Sequence, residues 1–203
     1  MRRFPDEQGG AAILADGRCE FDVRMRPDAA CREVDTAGIP PLPVHAMSSF
    51  RLVGLSAENF EPFFAMPDDE LAALGARRVV ADEAFGFPCR VSLADAEVGD
   101  ELLLLPFDHL LTRSPYRACG PVFVRRGARR AVLEAGEIPP YVTRRWMSVR
   151  AYDAGDMMIA ADVCDGSDVR GVIERFIADP AVSFVHLHNA KRGCFSCRVE
   201  RCD

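Results

Sequence analysis

The sequence predicts an α+β fold: one domain built on a mostly antiparallel or mixed β-sheet, with a few short helices and one longer amphipathic helix near the C-terminus. Three observations predict it. Short apolar or alternating runs recur from Phe50 onward with Gly and Pro between them, as hairpin-spaced strands do. Helical spacing is confined to brief stretches. Near the end, Val169, Val172, Ile173, Phe176 and Ile177 form one apolar stripe. Few helices among many closely spaced strands suit a sheet with helices on one side.

Taken in order, Phe50 to Val53 alternates like a strand. Ser56 is a candidate N-cap, followed by Phe60, Phe63 and Phe64 at helical spacing. Asp68 is placed to cap a short helix, Asp69 to Leu74, which Gly75 ends. Arg77 to Val80, Cys89 to Leu93, Glu101 to Phe107 and Val122 to Arg125 read as strands. Pro139-Pro140 can open a short helix to about Arg145. Trp146 to Tyr152 and Met157 to Val163 are strands joined by a turn at Asp153-Ala154-Gly155-Asp156. The striped helix starts near Asp165 or Ser167 and stops at Asp179-Pro180. Val182 to His188 and Cys194 to Glu200 make a last hairpin.

Residues 1–46 show no sustained period and end in Gly38-Ile39-Pro40-Pro41-Leu42-Pro43, which disfavours helix and central strand. Two readings stand: a flexible extension, or a start set too early with Met47 the true one. The domain is expected over 47–203.

Composition narrows the function classes. The 203 residues are 49% hydrophobic and 28% charged, ordinary for a globular chain. A domain of ~150 residues buries about two thirds of its unfolded surface and needs no staples. No apolar run approaches the ~20 residues that span a bilayer. The stretch after Arg2 and Arg3 is too short and too soon broken by Asp16 for a secretory signal, so the expected place is the cytoplasm. Net charge is −6 without a basic run, which argues against a nucleic-acid surface. Lys191 is the sole lysine, as in a chain coded by a GC-rich genome. Eight cysteines without a signal read as free thiols.

The last hairpin holds the most chemistry. Phe184, His186 and His188 share one face of their strand. A symmetric closure through Asn189–Gly193 sets His188 opposite Cys194, and a His beside a Cys can make a nucleophile. The bland alternative is a Cys packed at a hairpin end beside a satisfied His. Cys194-Phe195-Ser196-Cys197 is a C-x-x-C, but in a strand its thiols point to opposite faces. His186, His188, Cys194 and Cys197 are a candidate two-His, two-Cys zinc set only if that strand bends. Gly86-Phe87-Pro88-Cys89-Arg90 delivers Cys89 and Arg90 from a turn. His109 to Gly120 reads as a long loop bearing His109, Arg113, Ser114, Tyr116, Arg117 and Cys119. Arg90, Arg117 and Arg150 together would suit a carboxylate or phosphate; singly, each would pair with a surface acid.

These stretches resemble a bacterial family, domain of unknown function 1203. The resemblance rests on Phe85-Gly86-Phe87-Pro88-Cys89-Arg90-Val91-Ser92-Leu93, then Ser114-Pro115-Tyr116-Arg117 with Gly120-Pro121-Val122-Phe123-Val124-Arg125. It continues through Ser148-Val149-Arg150-Ala151-Tyr152-Asp153 and His186-Leu187-His188-Asn189-Ala190 to Gly193-Cys194-Phe195, spanning about Phe50 to Arg201. It implies no activity or cofactor, but sets Cys89 and Cys194 in family motifs and Cys119, Cys164 and Cys197 outside the pattern.

The resulting expectation is a small-molecule site for an anionic ligand, where the His109–Gly120 loop meets the hairpin tip. Cys194 or Cys89 is the nucleophile and His188 the base, with His109 a further catalytic candidate. Arg90, Tyr116, Arg117, Arg150 and Asn189 hold the ligand. The rivals are a non-catalytic interaction domain with an exposed apolar or homo-oligomeric face, and a structural zinc protein.

Overall fold

The structure, a computed structural model, describes residues 49–202. The expected boundary at residue 46 and the two readings of residues 1–46 lie outside them. Among the described residues ten strands form two five-stranded sheets rather than one.

The first sheet contains β1 (Ser49–Val53), β7 (Trp146–Tyr152), β8 (Met158–Asp165), β9 (Phe184–Asn189) and β10 (Phe195–Cys202), in the order β1-β10-β9-β7-β8. Every pairing in it is antiparallel. The helix α4 (Val169–Ile177) lies on one face through Val169, Val172, Ile173, Phe176 and Ile177, all buried. They meet Val149, Val185, Leu187 and Val199 in the larger core. Asp165 Oδ1 accepts from the Ser167 N–H (2.9 Å) and Oγ (2.8 Å) and so shapes the turn before the helix, whose N-cap is Asp168.

The second sheet contains β2 (Arg77–Val80), β3 (Pro88–Cys89), β4 (Ala94–Asp95), β5 (Glu101–Leu110) and β6 (Ala118–Arg125), in the order β2-β5-β6-β3-β4. It is mixed, because β3 runs parallel to β6. A 3-10 turn (Ala57–Asn59) and two helices, α1 (Glu61–Ala65) and α2 (Asp68–Ala73), precede it. Phe60, Phe63 and Phe64 pack into its core with Leu71, Leu103, Leu105 and Val122. Pro67, not Asp68, is the N-cap of α2, and Gly75 follows it at φ +71°.

Two expectations change. The strand expected over Cys89–Leu93 ends at Cys89; the chain then turns through Leu93, at φ +49°, into β4. The loop expected over His109–Gly120 shrinks to residues 111–117, because β5 and β6 continue past Pro106 and Pro121. The two prolines face each other beyond the reach of β2, which stops at Leu104, and of β3, which meets β6 at Phe123. With a neighbour on only one side there, a missing N–H need not cost a ladder bond. The longer β5 carries His109 and Leu110 to the first sheet, where Leu110 packs with Tyr152 and Phe184. A short helix, α3 (Pro140–Thr143), buries Tyr141 and Val142 between β6 and β7 in the sequence.

Candidate functional site

The β9–β10 hairpin positions most of the candidate residues. Its loop is one residue shorter than expected. The Asn189 N–H donates to the Cys194 carbonyl (3.0 Å) and the Gly193 N–H to the Asn189 carbonyl (2.7 Å), with Gly193 at φ +72°. Asn189 therefore closes against Cys194. Phe195 falls opposite His188 and Arg198 opposite His186, with a bulge at Ser196 absorbing the shift. The expected Cys194–His188 pair does not form, since one residue of register moves a side chain to the other face.

Two groupings result. On the face of the first sheet away from α4, His186 and His188 meet His109 from β5. The ring centroids lie 5.2 Å (109–188), 6.1 Å (109–186) and 6.2 Å (186–188) apart. Phe195 shares the cluster, 4.9 Å from His109, 5.0 Å from His186 and 5.7 Å from His188. His186 and His188 are each 1% exposed. Burial pushes His186 down to about 2, helped by the neighbouring His188 and Arg198, and His188 down to about 4, helped by Arg150. Burial lowers His109 as well. His186 and His188 are therefore neutral at pH 7. His188 Nδ1 is bonded to the Gly193 carbonyl (3.0 Å). Three ring nitrogens, His109 Nδ1, His186 Nδ1 and His188 Nε2, have no partner among the described residues.

The zinc set does not assemble. Cys197 lies opposite Leu187 on the core face, and burial pushes its thiol up to about 12. Among the described residues no group of three or more His, Cys, Asp or Glu is placed to hold a metal. With a phenyl ring packed against all three imidazoles, the histidine cluster reads as an aromatic box with polar edges.

The second grouping is a pocket of about 250 Å³ beneath the hairpin tip. The tip contributes Asn189, Lys191, Arg192 and Cys194 to its wall. Other walls come from Phe85, Gly86, Pro88 and Arg90, from Arg144 and Arg145 after α3, and from Trp146 and Phe123. Arg90 is 1% exposed. Its Nε donates to the Phe195 carbonyl (2.9 Å), one Nη to the Pro88 carbonyl and the other to Cys194 Sγ (3.4 Å). Asn189 Nδ2 also approaches Cys194 Sγ, at 3.9 Å, while Asn189 Oδ1 is buried without a partner among the described residues. Asp95 pairs with Arg145 and, at 3.8 Å, with Arg144. Glu83 is the one acid among the lining residues, against five cations.

The predicted residues therefore divide. Arg90, Asn189 and Cys194 converge on the pocket. His109 and His188 meet in the histidine box, beside Arg150, whose Nε donates to Ser148 Oγ (3.2 Å), and Tyr152. Tyr116 meets this region at Tyr152, edge to face at 6.4 Å. Cys89 is no exposed nucleophile: it is fully buried in the second sheet, where its Sγ accepts the Arg125 N–H (3.3 Å). Arg117 stands apart on the surface, 4.0 Å from Asp108. The link between the groupings is the strand start Gly193–Phe195, bonded to His188 on one side and Arg90 on the other. Phe85, Arg144, Arg145, Trp146, Lys191 and Arg192 were not singled out from the sequence as site residues. The adjacent cations at 144–145 and 191–192 were the available signal.

Residues 86–201 match the family described as Protein of unknown function (DUF1203), more than half of the chain. The chain belongs to that family. The DUF1203 match takes in the pocket from Gly86 onward and the whole histidine box, and leaves Glu83 and Phe85 just outside. No curated protein and no solved structure matches the chain.

Proposed function

We propose that this protein binds a small anionic molecule in the pocket beneath the β9–β10 tip, with Cys194 as the nucleophile available to it there. The observation that carries the reading is Arg90. A guanidinium keeps its proton in proteins, so a buried arginine is a buried charge. Such charges are ordinarily matched by an acid, because leaving one uncompensated costs several kcal/mol. Arg90 has two carbonyls and a thiol, and no carboxylate partner among the described residues. Neutral acceptors take three of its N–H groups and leave its charge, on a wall it shares with Lys191 and Arg192. An entering carboxylate or phosphate would supply the missing counter-charge, and the guanidinium fork suits both.

Asn189 adds a polar group on the same wall: its buried Oδ1 is free to accept from a donor carried elsewhere on the ligand, away from the anionic group. Cys194 is half-buried at the pocket wall, with Arg90 and Asn189 as its polar partners, so His188 has no part in activating it. A cytoplasmic setting goes with this reading: the six cysteines of the described residues are free thiols. No helix among the described residues is long and apolar enough to cross a membrane.

Calorimetric titration with inorganic phosphate, sulfate and acetate tests it. At least one of these anions should bind saturably. Arg192→Glu, at an exposed rim position, should weaken that binding about tenfold, and Arg90→Gln should abolish it while thermal unfolding stays cooperative. No saturable binding of any of the three to the parent chain would refute the proposal.

A further inference from the structure

The pocket has a second feature that its cations do not explain. Phe85 sits at φ +64°, a left-handed conformation that bulky side chains rarely adopt. Its backbone is held there: Arg145 Nη2 donates to the Phe85 carbonyl (2.7 Å). Phe85 is 56% exposed on the pocket wall, with its ring under the Arg144 guanidinium at 4.4 Å from the ring centroid. Two residues later, Phe87 takes the ordinary course and packs against Phe123 inside the sheet. Trp146, the only tryptophan of the chain, is also on the wall and 52% exposed.

Large aromatic side chains gain from burial, and these two forgo it at one site. Strained backbone that the surroundings hold in place is concentrated at ligand clamps and active sites. An inorganic ion would not need two aromatic faces beside its cations. A planar ring would, because ring stacking and cation–π contact both act there. At about 250 Å³ the cavity lies below the range that encloses drug-sized ligands, so it fits one ring with one charged group.

We propose that the ligand is an aromatic anion, a single planar ring bearing a carboxylate or phosphate, with the ring against Phe85 and Trp146 and the charged group toward Arg90. This rests on the anion-binding reading above and specifies its substrate class.

Trp146, as the sole tryptophan, makes the test direct. The full chain is titrated with phenyl phosphate, benzoate, inorganic phosphate and acetate while tryptophan emission is followed, with calorimetry in parallel. Phenyl phosphate should bind about tenfold more tightly than inorganic phosphate, and benzoate than acetate. Phe85→Ala removes an exposed side chain without changing the backbone demand at this position, and should fold normally. It should erase the aromatic advantage and leave inorganic phosphate binding unchanged. Equal affinity for ring-bearing and ring-free anions overturns the aromatic inference and leaves anion binding standing. Binding of neither kind overturns both. An aromatic advantage that survives both Phe85→Ala and Trp146→Ala also overturns the inference, since the ring would then rest elsewhere.

Discussion

Residue chemistry explains why the histidines do not behave as ordinary surface histidines. His186 and His188 are enclosed by Phe184, Tyr152, Phe195 and His109, with the Arg150 and Arg198 charges close by. Folding holds both below the ordinary value near 6.5. An unfolded chain therefore takes up protons below that value which the folded chain refuses, so stability rises with pH across this window. The stabilisation is complete above about pH 6.5 and is lost as the pH falls toward about 4 for His188, and further for His186. Each contributes about 1.4 kcal/mol per pH unit while the two states differ by a full proton. Urea midpoints measured between about pH 7.5 and 5 should fall with acid, and His186→Phe, which keeps an aromatic ring there, should make the slope shallower. A midpoint flat over that range would mean that the rings are hydrated in the folded state. His109, His188, Asn189, Cys194 and Arg90 were all legible as candidates from residue type and place in the chain. Cys89 was over-read, because nothing in a sequence tells a buried thiol from an accessible one.

At the scale of elements, the strands near the C-terminus and the apolar stripe at 169–177 were readable, because alternation and helical spacing are local signals. The hairpin register was not. It depends on where Asn189 and Cys194 close and on a bulge at Ser196. The bulge is held by long-range bonds: Ser196 Oγ donates to Tyr141 Oη (3.0 Å), which donates to the Ser196 carbonyl (3.2 Å). No local pattern announces a partner 55 residues away. The helix α4 allows a paired test of packing. A Cβ on Gly166, in the turn before the helix, would run into the Val142 and Arg145 carbonyls, whereas one on Gly171 would meet nothing within 4 Å. Gly166→Ala should destabilise by about 1–3 kcal/mol or more, and Gly171→Ala should stabilise by about 0.5–1 kcal/mol. Denaturant unfolding that gave both changes the same sign would contradict the way α3 and α4 meet.

For the whole molecule, the α+β class followed from the sequence, but the division into two sheets did not. Sheet partners are set by contacts far apart in sequence. Ser49 at the start of β1 pairs with Cys202 at the end of β10. Leu52 in β1 is fully buried in the larger core, so Leu52→Ala should cost about 2–5 kcal/mol in denaturant unfolding, although β1 is an edge strand of its sheet. A cost below about 1 kcal/mol would mean that this strand is not docked. The same topology brings the hairpin tip, the Phe85–Arg90 stretch and the residues after α3 to one place. That convergence makes a pocket out of cations that look scattered along the chain.

The most direct test of that convergence is site-resolved alkylation by mass spectrometry, comparing anionic iodoacetate with neutral iodoacetamide. Exposed Cys119 serves as the internal reference. If Cys194 stands among Arg90, Lys191 and Arg192, its iodoacetate-to-iodoacetamide rate ratio should be several-fold that of Cys119. Inorganic phosphate or Arg192→Glu should bring it back down. A ratio at Cys194 no higher than at Cys119, and indifferent to phosphate, would contradict an anion-binding pocket at this site.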